Sequence, residues 1–148
     1  MARTYRLGPT RQAFNSLMTS LIRAGLGGPA NYLLTTVGRR TGQRRTTPVT
    51  LLENADGRWL VSPYGNVGWV YNVRANPEIT LQRGNRAETV RTEEVPPETA
   101  GPVLKQYLDQ ARITAPYFDV RVKDPVPAFV QEARRHPVFR LNGPRLAA

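Results

Sequence analysis

Residues 31–62 read NYLLTTVGRRTGQRRTTPVTLLENADGRWLVS. Asn31–Val37 is rich in β-branched and aromatic residues and runs into Gly38–Gln43, a tight basic turn. Arg45–Leu52 (RTTPVTLL) is a second strand. Pro48 inside it has no N–H for a ladder, which predicts a sheet edge or a bulge at that point. Asn54–Gly57 (NADG) is a hairpin signal that leads into a third strand over Arg58–Ser62.

Ahead of these strands, residues 11–24 have the spacing of an amphipathic helix, with Phe14, Leu17, Met18, Leu21 and Ile22 on one face. Pro9 and Thr10 lead into it, and Gly25, Gly27, Gly28 and Pro29 end it. Behind the strands come a loop over Pro63–Gly68 and a short helix over Trp69–Ala75, closed by Asn76–Pro77. Glu78–Arg83 and Arg86–Val95 form another hairpin across Gly84–Asn85. A helix then starts near Pro97 or Pro102 and buries Val103, Leu104, Tyr107, Leu108 and Ala111. Residues 116–122 read as extended, Ala128–Arg135 as helical, and Pro137–Leu141 as a last strand. Five or six antiparallel strands with one leading helix and small inserted helices predict a compact barrel, mainly β with α+β character. The expected organisation is an arm and helix over 1–28, a barrel domain over 29–142 and a tail over 143–148.

At 148 residues the chain is one domain's worth. It has no Cys, which excludes disulfides, thiol nucleophiles, thiolate zinc sites and iron–sulfur clusters. Its single histidine, His136, removes multi-histidine metal sites and leaves little for a Ser–His–Asp triad, so no metal is expected. His136 lies between Arg135 and Pro137 at a helix end, which suits a cap or a surface position. The opening residues MARTYRLGP lack the apolar stretch and cleavage site of a secretory signal, and no window has the roughly 18–20 apolar residues that span a bilayer. The expected location is the cytoplasm.

The net charge is +10, and its distribution says more than its size. Residues 1–52 hold eight Arg and no Asp or Glu, whereas from Glu53 onward 13 basic residues face 11 acidic ones. The positive field belongs to the first third of the chain and attracts an anion there. Of the 21 basic residues 19 are Arg, the side chain that recognises phosphate or carboxylate through two parallel hydrogen bonds.

Two segments carry chemistry. In Gly38–Pro48, Arg39, Arg40, Arg44 and Arg45 crowd around a glycine turn beside exposed backbone N–H groups, a seat for phosphate or carboxylate; the bland alternative is a solvated hairpin tip. In Trp69–Pro77, Trp69 and Val73 are four apart and share an inner face while Arg74 points elsewhere; here the bland alternative is an ordinary core helix.

In this order the segments resemble the deazaflavin-dependent nitroreductase and quinone reductase family of actinobacteria. That family shows LLTTTGRKSGxPRxxPL, a strand ending in a Ser- and Gly-containing loop, and then WxxNLxANPxVxV. The counterparts here are Leu33–Val49, Ser62–Gly65, and Trp69–Pro77 followed by Glu78–Leu81. The resemblance implies a split β-barrel of the flavin-mononucleotide-binding type and a site for the deazaflavin coenzyme F-420, whose phosphodiester and polyglutamate tail suit the acid-free first third. It implies hydride transfer to a small organic acceptor, the coenzyme doing the chemistry and the protein supplying orientation and electrostatics. Coenzyme contacts would come from Arg39, Arg40 and Thr41 in the turn and from Arg45, Thr46, Thr47, Pro48, Val49 and Thr50 in the strand. They would continue through Ser62, Pro63 and Tyr64 in the loop, and Gly68, Trp69, Val70, Tyr71 and Asn72 in the short helix. Tyr64, Tyr71, Tyr107 and Tyr117 are candidate proton sources, though each reads first as a rim or core aromatic with a satisfied hydroxyl.

The departures matter. Ser62-Pro63-Tyr64-Gly65 stands where the family has Ser-Lys-Gly-Gly, which removes one phosphate-contacting Lys. The loop from there to Trp69 is several residues shorter than in nitroimidazole-reducing members, and Arg44 stands where they have Pro. The alternatives from other classes are an oxidoreductase of the same fold that binds flavin mononucleotide (FMN), and a non-catalytic cofactor or lipid carrier. A nucleic-acid binder fits poorly, because the Arg cluster lies in a short turn and not along a helix or an aromatic platform. The leading helix is read first as packing on the barrel and second as a peripheral membrane contact, with Arg3, Arg6, Arg11 and Arg23 facing anionic lipid. Monomer and homodimer both remain open.

Overall fold

The structure, a computed structural model, describes residues 9–25, 28 and 30–142. Arg3, Arg6, Gly27, Pro29 and the tail 143–148 lie outside the described residues, as does the side chain of Arg11. The helix α1 (Pro9–Arg23) precedes the strands β1 (Asn31–Val37), β2 (Arg44–Asn54) and β3 (Gly57–Val61). After helix α2 (Gly68–Ala75) come β4 (Glu78–Arg83) and β5 (Arg86–Glu94), helices α3 (Pro97–Gln110) and α4 (Val126–Glu132), and β6 (Val138–Asn142). The six strands are all antiparallel and close in the order β1-β2-β3-β6-β5-β4.

Period-two alternation decides what goes where. On β2 and β3, Leu51 and Leu60 point into the barrel with Leu34, Ile79, Leu81, Val90 and Phe139, where Val70 and Val73 of α2 plug one end. Their neighbours Leu52, Trp59 and Val61 point outward and join Leu104, Leu108 and Phe129 in a second core under α3 and α4. Each fully buried side chain of this size contributes on the order of 1.5–3 kcal/mol of transfer free energy.

The α3–α4 contact depends on a missing side chain. A Cβ on Gly101 would lie 2.5 Å from Val130 Cγ2 and 3.0 Å from its backbone nitrogen, so only glycine lets the helices approach this closely. The start at Pro97 is the N1 position that proline tolerates; Pro102 falls inside the helix.

β2 serves two partners in succession. Residues 44–50 pair with β1, and residues 51–54 pair with β3. Gly38 N–H donates to Gln43 O, and Leu51 N–H donates to Ala30 O. These two bonds fix the ladder phase: odd-numbered residues of β2 turn their main-chain groups to β1, and even-numbered ones turn away. At 52 and 54 the even residues meet β3. At Thr46, Pro48 and Thr50 no described strand lies on that side. Pro48 therefore sits on an open edge, with unbroken register and no bulge.

One expectation fails. Residues 116–122 are not extended: Arg112–Tyr117 is a 3-10 helix with Pro116 inside it, and turns follow. The barrel is closed, so neither neighbour of β6 leaves an edge for another strand, and this segment instead hangs from the α-helical side through Asp119 N–H to Glu132 Oε1 at 3.0 Å and Lys105 Nζ to the Asp124 carbonyl at 2.5 Å. α1 does pack on the barrel, against β1, β2 and β4, but its stripe is buried only in part. Ile22 is 1% exposed, but Phe14 is 50% and Leu17 58% exposed.

Candidate functional site

The open edge of β2 forms one side of a cavity of about 870 Å³. Its polar wall is the β1–β2 turn and the first half of β2. Gly42, at φ +73°, closes that turn, with its N–H donating to Gly38 O at 2.9 Å. Of the sequence-predicted residues, Arg39, Arg40, Thr41 and Arg45 through Thr50 all line the cavity. Its charged lining residues are Arg39, Arg40 and Arg45, and none of the described lining residues is acidic. Arg40 and Arg45 are exposed and make no ion pair among the described residues. Arg44 faces away and donates to Thr80 Oγ1 at 3.3 Å.

Arg39 is held in place by α2. Its Nη1 and its backbone N–H both donate to Asn72 Oδ1, at 2.9 and 3.2 Å, and its guanidinium lies 5.2 Å from the Tyr71 ring centroid. Asn72 is 6% exposed and donates through Nδ2 to Thr36 Oγ1 at 3.2 Å. Its amide is thus occupied in pinning α2 to the basic turn. Gly68, Trp69 and Asn72 line the cavity, with Trp69 tilted against Phe139 at 5.9 Å. Val70 is fully buried in the barrel plug, and Tyr71 lies outside the lining, 44% exposed.

The opposite wall is aromatic and apolar. Pro63 and Tyr64 belong to it, and Tyr64 meets Tyr117 edge-to-face with centroids 4.8 Å apart. Ser62 is fully buried instead, with Oγ donating to the Gly65 carbonyl at 2.5 Å. Residues that the strand and turn motifs do not mark complete the wall: Phe14, Met18 and Ile22 from α1, Tyr107 from α3, and Ile113 and Pro116 from the 3-10 helix. The α1 stripe is legible as an amphipathic pattern, but nothing local to Ile113, 81% exposed, marks it as part of a site.

His136 holds this wall from behind: its backbone N–H caps a short 3-10 helix over Ala133–Arg135 by donating to the Ala133 carbonyl at 3.2 Å, but its side chain is not at the surface, being 2% exposed and stacked on Phe118 with centroids 3.8 Å apart. Its Nδ1 donates to the Pro63 carbonyl at 2.9 Å, and Nε2 lies 3.0 Å from Glu132 Oε1. Burial pulls the imidazole below the usual histidine pKa, against the upward pull of its hydrogen bond to Glu132. Glu132, itself 3% exposed, is also gripped by Arg135 at 2.6 Å. Through Pro63, this buried chain fixes the loop that carries Tyr64.

An acid-free basic turn, a strand edge unpaired among the described residues and an aromatic wall are chemically suited to a flat heteroaromatic ring with an anionic tail. Residues 11–133 match the profile of the F420H(2)-dependent quinone reductase family. Two F420H(2)-dependent quinone reductases of Mycobacterium tuberculosis, from strains H37Rv and CDC 1551 / Oshkosh, are each 33% identical over 91 residues, 59% of this chain and 56% of theirs. The chain thus spans about half the length of the curated relatives it matches. A solved structure described as an F420-H2 dependent reductase, FDR-A, superposes with a TM-score of 0.53 at 22% identity, over 76% of this chain and 94% of that one. A FAD-binding protein of Mesorhizobium loti superposes with a TM-score of 0.50 at 14% identity, over 88% and 89%. At these identities the structures establish the fold, a split β-barrel of the flavin-binding type. With the profile running from α1 to the end of α4, the chain belongs to the F420H(2)-dependent quinone reductase family.

Proposed function

We propose that the chain is a deazaflavin-dependent reductase that passes hydride from reduced coenzyme F-420 to a small organic acceptor of the quinone, nitro or activated-alkene class. The observation that carries this reading is the open edge of β2 inside a cavity whose charged lining, among the described residues, is three arginines. Arg40 and Arg45 take the phosphate and glutamate carboxylates, with Arg39 beside them, held by Asn72. The main-chain groups of Thr46, Pro48 and Thr50 meet the pyrimidine edge of the ring, and Gly68 and Trp69 close the site from α2. When bound, the coenzyme supplies the hydride. The residues of the chain bind, orient and exclude water, work for which the barrel needs neither thiol nor metal ligand.

Mixing the purified protein with each coenzyme, removing the excess and recording the absorbance spectrum tests this. Retained deazaflavin absorbance that responds to added acceptor is the expected result. Retention of FMN alone would favour the flavin reading, and retention of neither would favour a carrier.

A second reading applies to α1 alone and rests on the exposure of Phe14 and Leu17, which gives this helix an apolar face open to solvent. Such a face suits peripheral contact with an anionic lipid surface. No helix among the described residues is long and apolar enough to cross a membrane. Sedimentation with anionic liposomes at low salt should pellet the protein, and Phe14→Ser with Leu17→Ser should release it; wild-type protein left in the supernatant removes this reading.

A further inference from the structure

We infer that the hydroxyl of Tyr107 is the hydrogen-bond donor that fixes the acceptor molecule, and that it selects a neutral carbonyl or nitro oxygen on a flat ring. The inference rests on the reductase reading above and names the residue that would meet the acceptor. Tyr107 projects from α3 with its ring in the outer core beside Val61, Leu104 and Leu108, and it is 3% exposed. It also lines the cavity.

Several other polar side chains around this wall are already engaged. Thr114 Oγ1 donates to the Ala111 carbonyl at 2.6 Å, Gln110 Nε2 to Leu51 O at 2.9 Å, and Ser62 and His136 to Gly65 and Pro63 as described. The Tyr107 hydroxyl makes no hydrogen bond among the described residues. A buried phenol keeps its body in the core and seeks a partner for its tip. Here the cavity is the side left to it. Burial, and after it the neighbouring Tyr64, raises its pKa, so the group remains a donor throughout the neutral range.

The surroundings select the chemistry of the partner. Every charged residue of the described lining lies on the opposite, arginine-bearing wall. A carboxylate would be drawn to that wall, whereas a neutral oxygen loses nothing beside Tyr107. Trp69, Pro116 and the Tyr64–Tyr117 pair offer flat apolar surfaces, which suit a planar ring better than a branched chain.

Tyr107→Phe keeps the ring and removes only the oxygen, and menadione serves as the probe. Thermal unfolding and deazaflavin affinity should match wild type within twofold. Menadione added to protein without coenzyme should quench tryptophan fluorescence, with an affinity about tenfold weaker in the variant. The infrared carbonyl band of bound menadione should be shifted down in wild type and unshifted in the variant. With coenzyme, kcat/KM for menadione should fall about tenfold while the KM for coenzyme holds. Identical carbonyl bands and affinities in the two proteins would overturn the inference, as would menadione that leaves wild-type fluorescence unchanged. Failure of either protein to bind deazaflavin would instead count against the reductase reading, and the menadione measurements would still decide the role of Tyr107.

Discussion

The two walls of the cavity are built in opposite ways. The polar wall is nearly continuous in sequence, from Gly38 to Thr50, and one hairpin ladder positions it. The aromatic wall draws on α1, the loop after β3, the end of α3 and the 3-10 helix, four pieces that meet only because two cores bring them together. A local ladder can hold functional groups that are themselves exposed, as Arg40 and Arg45 are. A wall assembled from distant pieces has to borrow its rigidity from packing. The contrast predicts that stability and ligand affinity separate between the walls.

The largest effect should come from the packing behind the aromatic wall. Phe129 is fully buried on α4, in the same core as Tyr107 and Phe118. Phe129→Ala should cost about 3–5 kcal/mol in urea unfolding, the range for emptying a buried aromatic site. A loss under about 1 kcal/mol would mean that α4 does not support the wall. An intermediate effect belongs to the polar wall. Arg45→Ala should weaken deazaflavin binding at least tenfold, in line with about 1.5–3 kcal/mol for a charge-assisted pair, and flatten its salt dependence while leaving the melting temperature unchanged. Unaltered affinity and salt slope would remove Arg45 from the anion site.

The smallest effect is a pH dependence, and its sign follows from Tyr107. The folded protein raises its pKa above the unfolded value of about 10, so below that pH both states keep the proton. Above it the unfolded chain ionises first, and stability falls by at most about 1.4 kcal/mol per pH unit. Tyr107→Phe should remove that part of the slope between about pH 9 and pH 10.5. Equal slopes in the two proteins would show that the phenol titrates freely in the fold.

The same contrast decides how much of the molecule is legible in its sequence. The strands over 31–62, the NADG hairpin and the arginine turn are local signals, and all of them reappear in the structure within a residue or two at their ends. Pro48 points to an edge because a proline has no N–H to give, and a strand paired on both sides would leave the acceptor opposite it empty. Residues 116–122 mislead because Tyr117, Phe118, Val120 and Val122 have strand-like side chains, while in the fold these side chains pack against the outer core under α3 and α4 and do not enter the sheet. His136 misleads for a related reason. Its neighbours in sequence are charged or proline, whereas its neighbours in space are Phe118, Glu132 and the Pro63 carbonyl. Periodicity finds the apolar stripe of α1 but cannot say that part of it stops short of the core, leaving Phe14 and Leu17 open to solvent.

The free stretch of β2 has one more consequence. A row of unpaired main-chain groups invites any extended peptide to add itself as a strand, which is how sheets recruit partners and how they aggregate. In this barrel that invitation is recessed within a cavity, and Pro48 at its centre withholds a donor, so a foreign strand meets a broken ladder. A flat ligand seated along the same groups would do what no strand can do there and finish the sheet. Loading and sheet completion then become one event, and the protein's resistance to self-association should rise with its cargo.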